Sequence, residues 1–257
     1  MNLAHAGLLL RRLEGFCPLD EGERQALLAT LGVERRISPH VILVEEHRPP
    51  EGVLMILDGF ACRYKLLPDG RRQIVGFLLP GDVCDLGVLL LRRMDHSIAT
   101  LSPVTAAWLQ PASVPGLFER HPRLARALLW TSAVEASITR EWVVNIGQRT
   151  ALQRTAHLLC EVFSRLESVG LAQHNACALP LTQSELGDTL ALSAVHVNRT
   201  LMCMRRTNLV DLHAGRLQLL NRQALQTTAG FDPVYLHLDG GHAWGGRHPD
   251  EMVNPHP

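Results

Sequence analysis

Three side chains that can form directional hydrogen bonds stand close together late in the chain: His196, Asn198 and Arg199. An arginine can donate two parallel hydrogen bonds to the O6 and N7 atoms of guanine, and an asparagine can pair in the same bidentate manner with adenine. The chemistry that suits this group is therefore recognition of base edges by hydrogen bonding. Such recognition requires that one structural element present the three side chains together.

Two short helices joined by a tight turn are predicted around these side chains. Thr182 is followed three residues later by Glu185, a capping box that predicts the start of the first helix. Gly187 is small enough for a second helix to cross it closely, and residues 191–192 fit a tight connection. Ser193 is a suitable N-cap for the second helix. The whole pattern is that of a helix-turn-helix.

The second helix is predicted to turn one face to the protein and the other to solvent. Val197 and Leu201 lie about one turn apart and are expected to pack inward. The residues expected to face outward over its first two turns are Ala194, Val195, His196, Asn198 and Arg199. A recognition helix presents its N-terminal half in this way when it enters the major groove of DNA.

A two-stranded wing is predicted after the second helix. Residues 211–216 lead into a strand at 217–220, with the turn near Ala214 and Gly215. The wing favours DNA binding over the alternative, a helical hairpin that only packs, because such a hairpin explains the caps but not the outward polar cluster. The residues predicted to contact DNA are Thr182, Gln183, Ser193, Ala194, Val195, His196, Asn198, Arg199, Arg205, Arg206, His213 and Arg216. The last three arginines are expected to contact phosphate groups.

An all-β unit is predicted upstream, between residues 41 and 109. Short apolar runs recur there at a spacing of about ten residues, which is typical of a small barrel or sandwich. Turn sequences separate the runs, among them Asp58-Gly59 and the stretches 68–70 and 80–82.

One long amphipathic helix is predicted from about residue 122 to 146, because apolar residues recur there every three to four positions. Its apolar surface exceeds what one small barrel needs. This excess favours a dimer seam that contains Leu128 and Ile138. The alternative is that the helix only packs on its own barrel.

A domain boundary is predicted just after the long helix. Gly147 is expected to end that helix, and another helix is predicted from about Thr150 to Ser168. After Gly230 the chain carries Gly, Pro and His without periodicity, which predicts a disordered tail. The predicted division is 1–147 for the β unit with the long helix, 148–229 for the DNA-binding domain and 230–257 for the tail.

The composition limits the kinds of protein that this chain can be. It has 257 residues, 46% of them apolar, and a formal net charge of zero. It contains no apolar run long enough for a transmembrane helix and no basic N-terminal segment typical of a signal peptide, so a soluble cytoplasmic protein without a membrane partner is expected. The six cysteines show no Cys-x-x-Cys spacing and are expected to be reduced and packed, with no metal site.

With these elements in this order, the sequence resembles the Crp/Fnr family of dimeric bacterial transcription regulators over about residues 10–225. The most specific matches are residues 181–187, Leu-Thr-Gln-Ser-Glu-Leu-Gly, and residues 193–201, Ser-Ala-Val-His-Val-Asn-Arg-Thr-Leu. The resemblance implies an α+β fold with an N-terminal, jelly-roll-like β-roll similar to a cyclic-nucleotide-binding domain, a long dimerisation helix and a C-terminal winged helix-turn-helix. It implies three partners: double-stranded DNA, a second copy of the chain and RNA polymerase. In the family the position of Arg199 contacts a base, and the positions of Ala194 and Val195 often do.

The regulatory half departs from the cyclic-nucleotide binders of that family. Those proteins carry a Gly-Glu-Leu segment and then an Arg-Ser or Arg-Thr pair that grips the cyclic phosphate. Here residues 81–87 read Gly-Asp-Val-Cys-Asp-Leu-Gly, and His96 stands in place of the phosphate-binding arginine. The predicted effector-pocket residues are Gly81, Asp82, Asp85, Leu86, His96 and Ser97. No cofactor is identifiable: a cyclic nucleotide is disfavoured, and Cys17 alone does not match the N-terminal cysteines that hold iron–sulfur clusters in the family's oxygen sensors.

Two other functions compete with this interpretation. A nucleotide-sensing module that regulates a protein partner without binding DNA is favoured only if residues 181–222 fail to bind DNA. An enzyme is disfavoured because the sequence lacks a Gly-x-Ser-x-Gly motif, a phosphate-binding loop and a His-Glu-x-x-His motif. The preferred prediction is a sequence-specific DNA-binding regulator that an effector or signal controls through the β-roll.

Overall fold

The computed structural model describes residues 2–84 and 86–238. The helices in these ranges are α1 (Leu3–Glu14), α2 (Glu21–Thr30), α3 (Val114–Arg120), α4 (Pro122–Gln148), α5 (Ala151–Ser168), α6 (Gln183–Leu190), α7 (Ala194–Arg206) and α8 (Arg222–Ala229). The strands are β1 (Arg35–Ile37), β2 (Ile42–Val44), β3 (Val53–Asp58), β4 (Ala61–Leu66), β5 (Arg72–Leu78), β6 (Val83–Cys84), β7 (Ser97–Thr100), β8 (Val104–Leu109), β9 (Ala172–Gln173), β10 (Ala176–Ala178), β11 (Val210–His213) and β12 (Arg216–Leu219). Short 3-10 turns at Leu86–Leu89, Pro111–Ser113 and Pro233–Leu236 complete the described elements.

The first eight strands form a β-roll of two antiparallel sheets. One sheet has the strand order β1-β8-β3-β6 and the other has the order β2-β7-β4-β5. Apolar side chains such as Ile56, Ala61, Ile98 and Ala106 lie between the sheets with no exposed surface. The predicted β-roll followed by a long helix and a winged helix-turn-helix is therefore confirmed.

Two N-terminal helices that the sequence analysis did not predict cover one end of the roll. Leu9 and Leu13 on α1 and Leu27 on α2 are completely buried in the apolar cluster that also contains Met55 on β3. Asp20 and Glu23 form a capping box at the start of α2, with the Asp20 side chain 2.8 Å from the Glu23 amide nitrogen. That capping box was the sequence signal from which α2 could have been found.

The long helix α4 differs from its prediction in two ways. It continues through Gly147 to Gln148, so Gly147 does not end it, because the backbone of an exposed glycine can remain helical at a modest cost. Leu128, which was expected in a dimer seam, has no exposed surface and packs in the core of its own chain. Ile138 also packs against its own chain, beside the cluster around Trp142. The alternative interpretation, packing on the helix's own barrel, holds for that stripe.

Residues 231–238, which follow Gly230, are folded and do not form the predicted disordered tail. Gly230 adopts a left-handed conformation with φ +57°, and the next residues form the 3-10 turn Pro233–Leu236. Leu236 is only 1% exposed, because this turn folds back onto α4 and α5. The prediction of disorder from residue 230 was wrong for this stretch, and residues 239–257 lie outside the described ranges.

Within the described residues, no helix combines the length and the apolar character that crossing a bilayer requires.

Candidate nucleic-acid interface

Local hydrogen bonds fix both helices of the helix-turn-helix. The Thr182 side chain accepts a hydrogen bond from the Glu185 amide at 3.1 Å, and Glu185 Oε2 accepts one from the Thr182 amide at 2.7 Å. Ser193 caps α7 by accepting from the His196 amide at 3.2 Å. These contacts confirm the predicted caps, and the two hydroxyl groups are already used in holding the helix starts.

The turn between α6 and α7 is tight because of two residues. Ala191 takes a left-handed conformation with φ +52°. A Cβ atom on Gly187 would lie 2.6 Å from the carbonyl oxygen of Leu192. Only glycine permits this close approach, so the predicted crossing at Gly187 is found.

The inner faces of the two helices are locked in a common core. Leu186, Leu190, Val197 and Met204 are at most 1% exposed, and Leu201 packs partly against the same cluster. This packing leaves the opposite side of α7 in solvent, and the exposed residues over its first two turns are Ala194, Val195, His196 and Arg199. The predicted inward face is therefore observed, and so is the predicted outward face except at Asn198, which is half-buried.

Arg199 is available for an external partner. Its side chain is exposed and forms no salt bridge or hydrogen bond with the residues that the structure describes. Asn198 is half-buried, and its Nδ2 donates to Gln183 Oε1 at 3.1 Å, which ties α7 to α6. The carbonyl oxygen of Asn198 and the amino group of Gln183 point away from this bond and can take further partners.

The cations predicted to contact phosphate have different surroundings. Arg205 forms a salt bridge with Asp211 at 2.5 Å and donates to the carbonyl oxygen of Leu212 at 3.1 Å, so it braces the wing against α7. Arg206 and Arg216 are exposed, as is His213 at the tip of the wing. The side chains of these three form no salt bridge or hydrogen bond with a described residue, so they can reach a partner without first giving up such a contact.

The wing is part of a larger sheet than the sequence predicted. β11 and β12 pair through the turn at Ala214 and Gly215, whose φ values are +49° and +72°. This backbone conformation suits a two-residue hairpin. β10 and β9 extend the sheet, with Cys177 opposite Leu217. β9 has two residues and β10 has three, which is too few for an alternating pattern to be seen in the sequence.

The helix-turn-helix also touches the β-roll. Arg72 on β5 forms a salt bridge with Asp188 on α6 at 2.8 Å, and Gln73 donates to the carbonyl oxygen of Thr189 at 3.3 Å. Partners more than a hundred residues apart carry no local sequence signal, so these contacts were not predicted. They connect the β-roll directly to α6, the first helix of the helix-turn-helix.

A cavity of about 370 Å³ lies between the β-roll and α4. Two of the predicted effector-pocket residues line it, Asp82 and His96. The other described ones do not: Gly81 forms a turn beside α1, Leu86 is buried in the core under α1, and the Ser97 hydroxyl accepts a hydrogen bond from the Glu46 amide at 2.9 Å. Asp85 lies outside the described residues.

The buried end of this cavity contains charged side chains that form ion pairs with one another. Asp82 lies 2.8 Å from Arg12 Nη2 and 2.6 Å from Arg165 Nη2. Burial by itself would raise the pKa of Asp82, but Arg165 and Arg12 outweigh it and hold that pKa below its usual range. Arg63 makes a further pair with Glu135 at 2.8 Å, which joins β4 to α4.

A buried histidine lies where α4 meets α5. His157 on α5 is 1% exposed, and its Nε2 is 3.2 Å from Glu141 on α4. Burial, together with the positive charge of Arg149, lowers the pKa of His157 to about 4 although Glu141 opposes the shift. The imidazole is therefore neutral in the folded protein at neutral pH.

This pKa predicts a loss of stability in mild acid. The folded-state pKa of His157 lies below its ordinary value of 6.5, so the unfolded chain binds the proton more readily, and the free energy of unfolding should fall as the pH drops from about 6.5 towards 4. Replacing His157 by Phe keeps an aromatic ring but removes the titration. Urea unfolding of both proteins between pH 4 and pH 7 should give a flatter curve for His157→Phe; parallel curves would contradict this assignment.

Two family models match the chain. A model of the cyclic nucleotide-binding domain matches residues 34–121, which include all eight strands of the β-roll. A model of the Crp-like helix-turn-helix domain matches residues 153–228, which run from α5 to α8.

Transcription regulators are found among proteins of similar sequence and structure. The chain is 33% identical over 174 residues to the nitrogen fixation regulation protein FixK of Bradyrhizobium diazoefficiens, covering 68% of this chain and 72% of that protein. It is 28% identical to the transcriptional activatory protein AadR of Rhodopseudomonas palustris, with 76% and 80% covered. The structure of FixK2 from Bradyrhizobium japonicum matches with a TM-score of 0.69 and 28% identity, over 76% of this chain and 96% of that one.

Proposed function

Because this chain belongs to the Crp/Fnr family of transcription regulators, we propose that it binds operator DNA as a symmetric homodimer and reads bases with the N-terminal half of α7. That it is a DNA-binding regulator of this type follows from the match to both family models and from its named relatives. The contacts, the dimer and the control by a ligand are the proposal.

The base-reading proposal rests on the exposure of Arg199 and on its lack of a partner among the described residues. Arg199 is exposed on the outer face of a helix whose other face is locked in the core, and no described residue pairs with it. An arginine without an internal partner retains its fork of donors for guanine. Asn198 and His196 flank it, while Ala194 and Val195 offer apolar contact to thymine methyl groups.

The phosphate contacts are assigned to the edges of the same surface. Arg206 at the end of α7, and His213 and Arg216 in the wing, supply exposed groups there. Gln183, Thr182 and Ser193 lie at the starts of α6 and α7, where backbone amides and side chains commonly approach phosphate oxygens. Arg205 contributes mainly by holding the wing, through Asp211.

The dimer is assigned to a stripe along the solvent side of α4, which we call the seam. Its residues follow one another at alternating steps of four and three, the spacing of a coiled-coil interface; they are Leu129, Ala133, Ala136, Arg140 and Val143. Leu129 and Val143 are 55% and 68% exposed in the single chain. The two alanines allow a second helix to approach closely, and a two-fold axis would cover the same stripe on both copies.

The cavity between the β-roll and α4 is assigned to the effector, and RNA polymerase to the DNA-bound dimer as its partner. The apolar part of the cavity is lined by Phe77, Trp130, Val134 and Ile138. Residues of α4 thus form both a wall of the cavity and the proposed seam, so a ligand in the cavity would touch the dimer helix itself. The name of AadR describes that relative as a transcriptional activatory protein, which supports a role in recruiting the polymerase.

Cyclic AMP is expected to bind weakly or not at all. At the position where cyclic-nucleotide binders carry a phosphate-gripping arginine, this chain has His96, whose Nδ1 is 2.8 Å from Asp95 Oδ1. The buried arginines that line the cavity already have carboxylate partners: Arg12 and Arg165 pair with Asp82, and Arg63 pairs with Glu135. A phosphate would therefore have to displace a carboxylate. Isothermal calorimetry should detect no heat of binding at micromolar protein concentrations, and a dissociation constant below about 10 µM would overturn this prediction.

A mobility-shift assay with fragments of the source genome tests the proposed function. A small subset of fragments should remain bound by the wild-type protein in an excess of scrambled competitor DNA, whereas Arg199→Ala should retain none of them. Arg92→Ala, which alters an exposed arginine in a loop of the β-roll, is the matched control and should retain the same subset as wild type. Equal retention of all fragments, or no retention, by the wild type contradicts sequence-specific binding.

A further inference from the structure

Residues 231–238, which we call the clasp, fold back from the end of α8 onto the junction of α4 and α5. The left-handed Gly230 reverses the chain, and the Phe231 amide then donates to the carbonyl oxygen of Gln226 at 3.0 Å. Asp232 accepts from the Val234 amide at 3.0 Å and starts the 3-10 turn. The return path is thus built from specific local contacts.

The clasp is bonded to a buried carboxylate that also binds α4. Tyr235 donates its hydroxyl hydrogen to Glu161 Oε2 at 2.9 Å, and Glu161 on α5 has no exposed surface. The indole nitrogen of Trp142 on α4 lies 3.0 Å from both oxygens of the same carboxylate. One side chain of α5 therefore joins the clasp to the long helix, and a buried acceptor of this kind is costly to leave without donors.

Aromatic packing repeats this connection one turn earlier on α5. The ring of Tyr235 stacks on that of His157, with centroids 5.8 Å apart and planes 17° apart. Phe231 meets the same imidazole edge-on at 5.1 Å. The imidazole is thus held between two clasp residues and Glu141 on α4.

The other side of the clasp faces the cavity. Leu236 lines the cavity together with Arg165. Arg165 Nη1 lies 3.6 Å from Glu161 Oε1, while its Nη2 binds Asp82 of the β-roll. A continuous set of contacts therefore runs from the β-roll through α5 to the clasp.

The junction that the clasp covers is short. Only Arg149 and Thr150 separate α4 from α5, and Arg149 has an extended backbone with φ −85° and ψ 147°. α5 packs directly against α7, so the angle at this junction sets where the recognition helix lies relative to the proposed seam on α4. In a dimer, that angle decides whether two recognition helices can enter neighbouring major grooves.

We propose that the clasp is a positioning element: Tyr235, with Phe231 and Leu236, holds α5 at the angle to α4 that DNA binding requires, and transmits occupancy of the cavity to that angle. This inference rests on the proposed DNA-binding function. Removal of the clasp should leave the β-roll and the helix-turn-helix folded, because the buried residues of their apolar clusters come from other elements and Phe231 is only partly buried against one of them. It should loosen the junction between the two parts.

Two truncated chains and two point variants test the proposal. Chain 1–230 lacks the clasp, and chain 1–238 is its control, because it keeps the clasp and ends where the described residues end. Tyr235→Ala removes the ring and the hydroxyl from the complete chain, whereas Tyr235→Phe keeps the ring. The readouts are hydrogen–deuterium exchange of the free proteins, and fluorescence anisotropy with a duplex selected from a random-sequence pool by the full chain.

Chain 1–230 and Tyr235→Ala should exchange faster across residues 141–165 but not across α6 and α7. Their affinity for the selected duplex should fall by at least about tenfold, which corresponds to about 1.4 kcal/mol. Chain 1–238 should match the full chain in both readouts, and Tyr235→Phe should lie between wild type and Tyr235→Ala.

Two results would overturn the proposal. One is unchanged exchange across residues 141–165 in Tyr235→Ala, and the other is an unchanged affinity for the selected duplex. If the full chain selects no duplex at all, the proposed function fails, and the exchange data then decide on the clasp by themselves. If chain 1–230 does not fold, Tyr235→Ala in the complete chain provides both readouts.

Discussion

Replacing Arg199 by alanine is expected to weaken binding to the specific operator by a factor that reaches several thousand, while the protein remains folded. One bidentate contact to a base typically contributes about 1–3 kcal/mol, and a two-fold dimer loses it in both half-sites. The fold should be unaffected, because the Arg199 side chain is exposed and touches no described partner through a salt bridge or hydrogen bond. Its removal takes a contact from DNA and none from the core.

The measurement is a pair of binding titrations, on operator DNA and on a scrambled duplex of the same length. Arg199→Ala should lose affinity for the operator and retain most of its affinity for the scrambled duplex. Arg206→Ala should weaken both equally and lower the salt dependence, because a phosphate contact releases counterions wherever it forms. A ratio of specific to non-specific affinity that stays at the wild-type value in Arg199→Ala would remove Arg199 from the base-reading role.

Replacing Leu129 and Val143 together by aspartate is expected to convert a dimer into monomers. Both side chains are more than half exposed in the single chain, so the substitutions should disturb little internal packing. In a symmetric seam they would place four carboxylates where two apolar side chains of each copy meet the partner, and buried charges there are strongly unfavourable. DNA affinity should fall as well, because one copy can occupy only one half-site.

Sedimentation velocity at micromolar concentration measures this effect. Leu90→Asp is the matched control, since Leu90 is 89% exposed but belongs to a loop of the β-roll and not to α4. The control should remain a dimer. A wild-type protein that already sediments as a monomer would refute the seam, and so would a Leu129→Asp/Val143→Asp protein that remains a dimer.

The helix-turn-helix could be predicted from the sequence because its signals are local. Three signals act within a few residues of their own position: the capping box at Thr182, the cap at Ser193 and the small Gly187. The structure contains all three. A wing turn at Ala214 and Gly215 is equally local. Because local hydrogen bonds and steric limits determine these turns and helix starts, distant parts of the chain have little influence on their conformation.

The orientation of α4 could not be predicted, because apolar residues occur on more than one of its faces. Periodicity identified the helix but not which stripe faces the barrel, and it placed Leu128 in the seam. The structure buries Leu128 and leaves its neighbour Leu129 exposed. One residue corresponds to about a 100° rotation around the helix axis, so the choice of stripe depends on how the barrel packs.

The charge pairs around the cavity could not be predicted from the sequence, because their partners are far apart in the chain. Asp82 was expected to face an effector, but Arg12 and Arg165 approach it from positions about seventy and eighty residues away in the chain. The clasp was not predicted, because its apolar residues Phe231, Tyr235 and Leu236 show neither the helical nor the strand period. Tertiary contacts, not local propensity, give these residues their places.

Selection of duplexes from a random-sequence pool by the wild-type protein tests base reading by α7 and the two-fold dimer in one experiment. We expect an enriched inverted repeat whose half-site centres lie about one helical turn apart, roughly 10–10.5 base pairs. The same selection with Arg199→Ala should lose the conserved base pair in both halves of the repeat. A pool without an enriched motif would contradict sequence-specific reading, and a single half-site without its inverted copy would contradict the two-fold dimer.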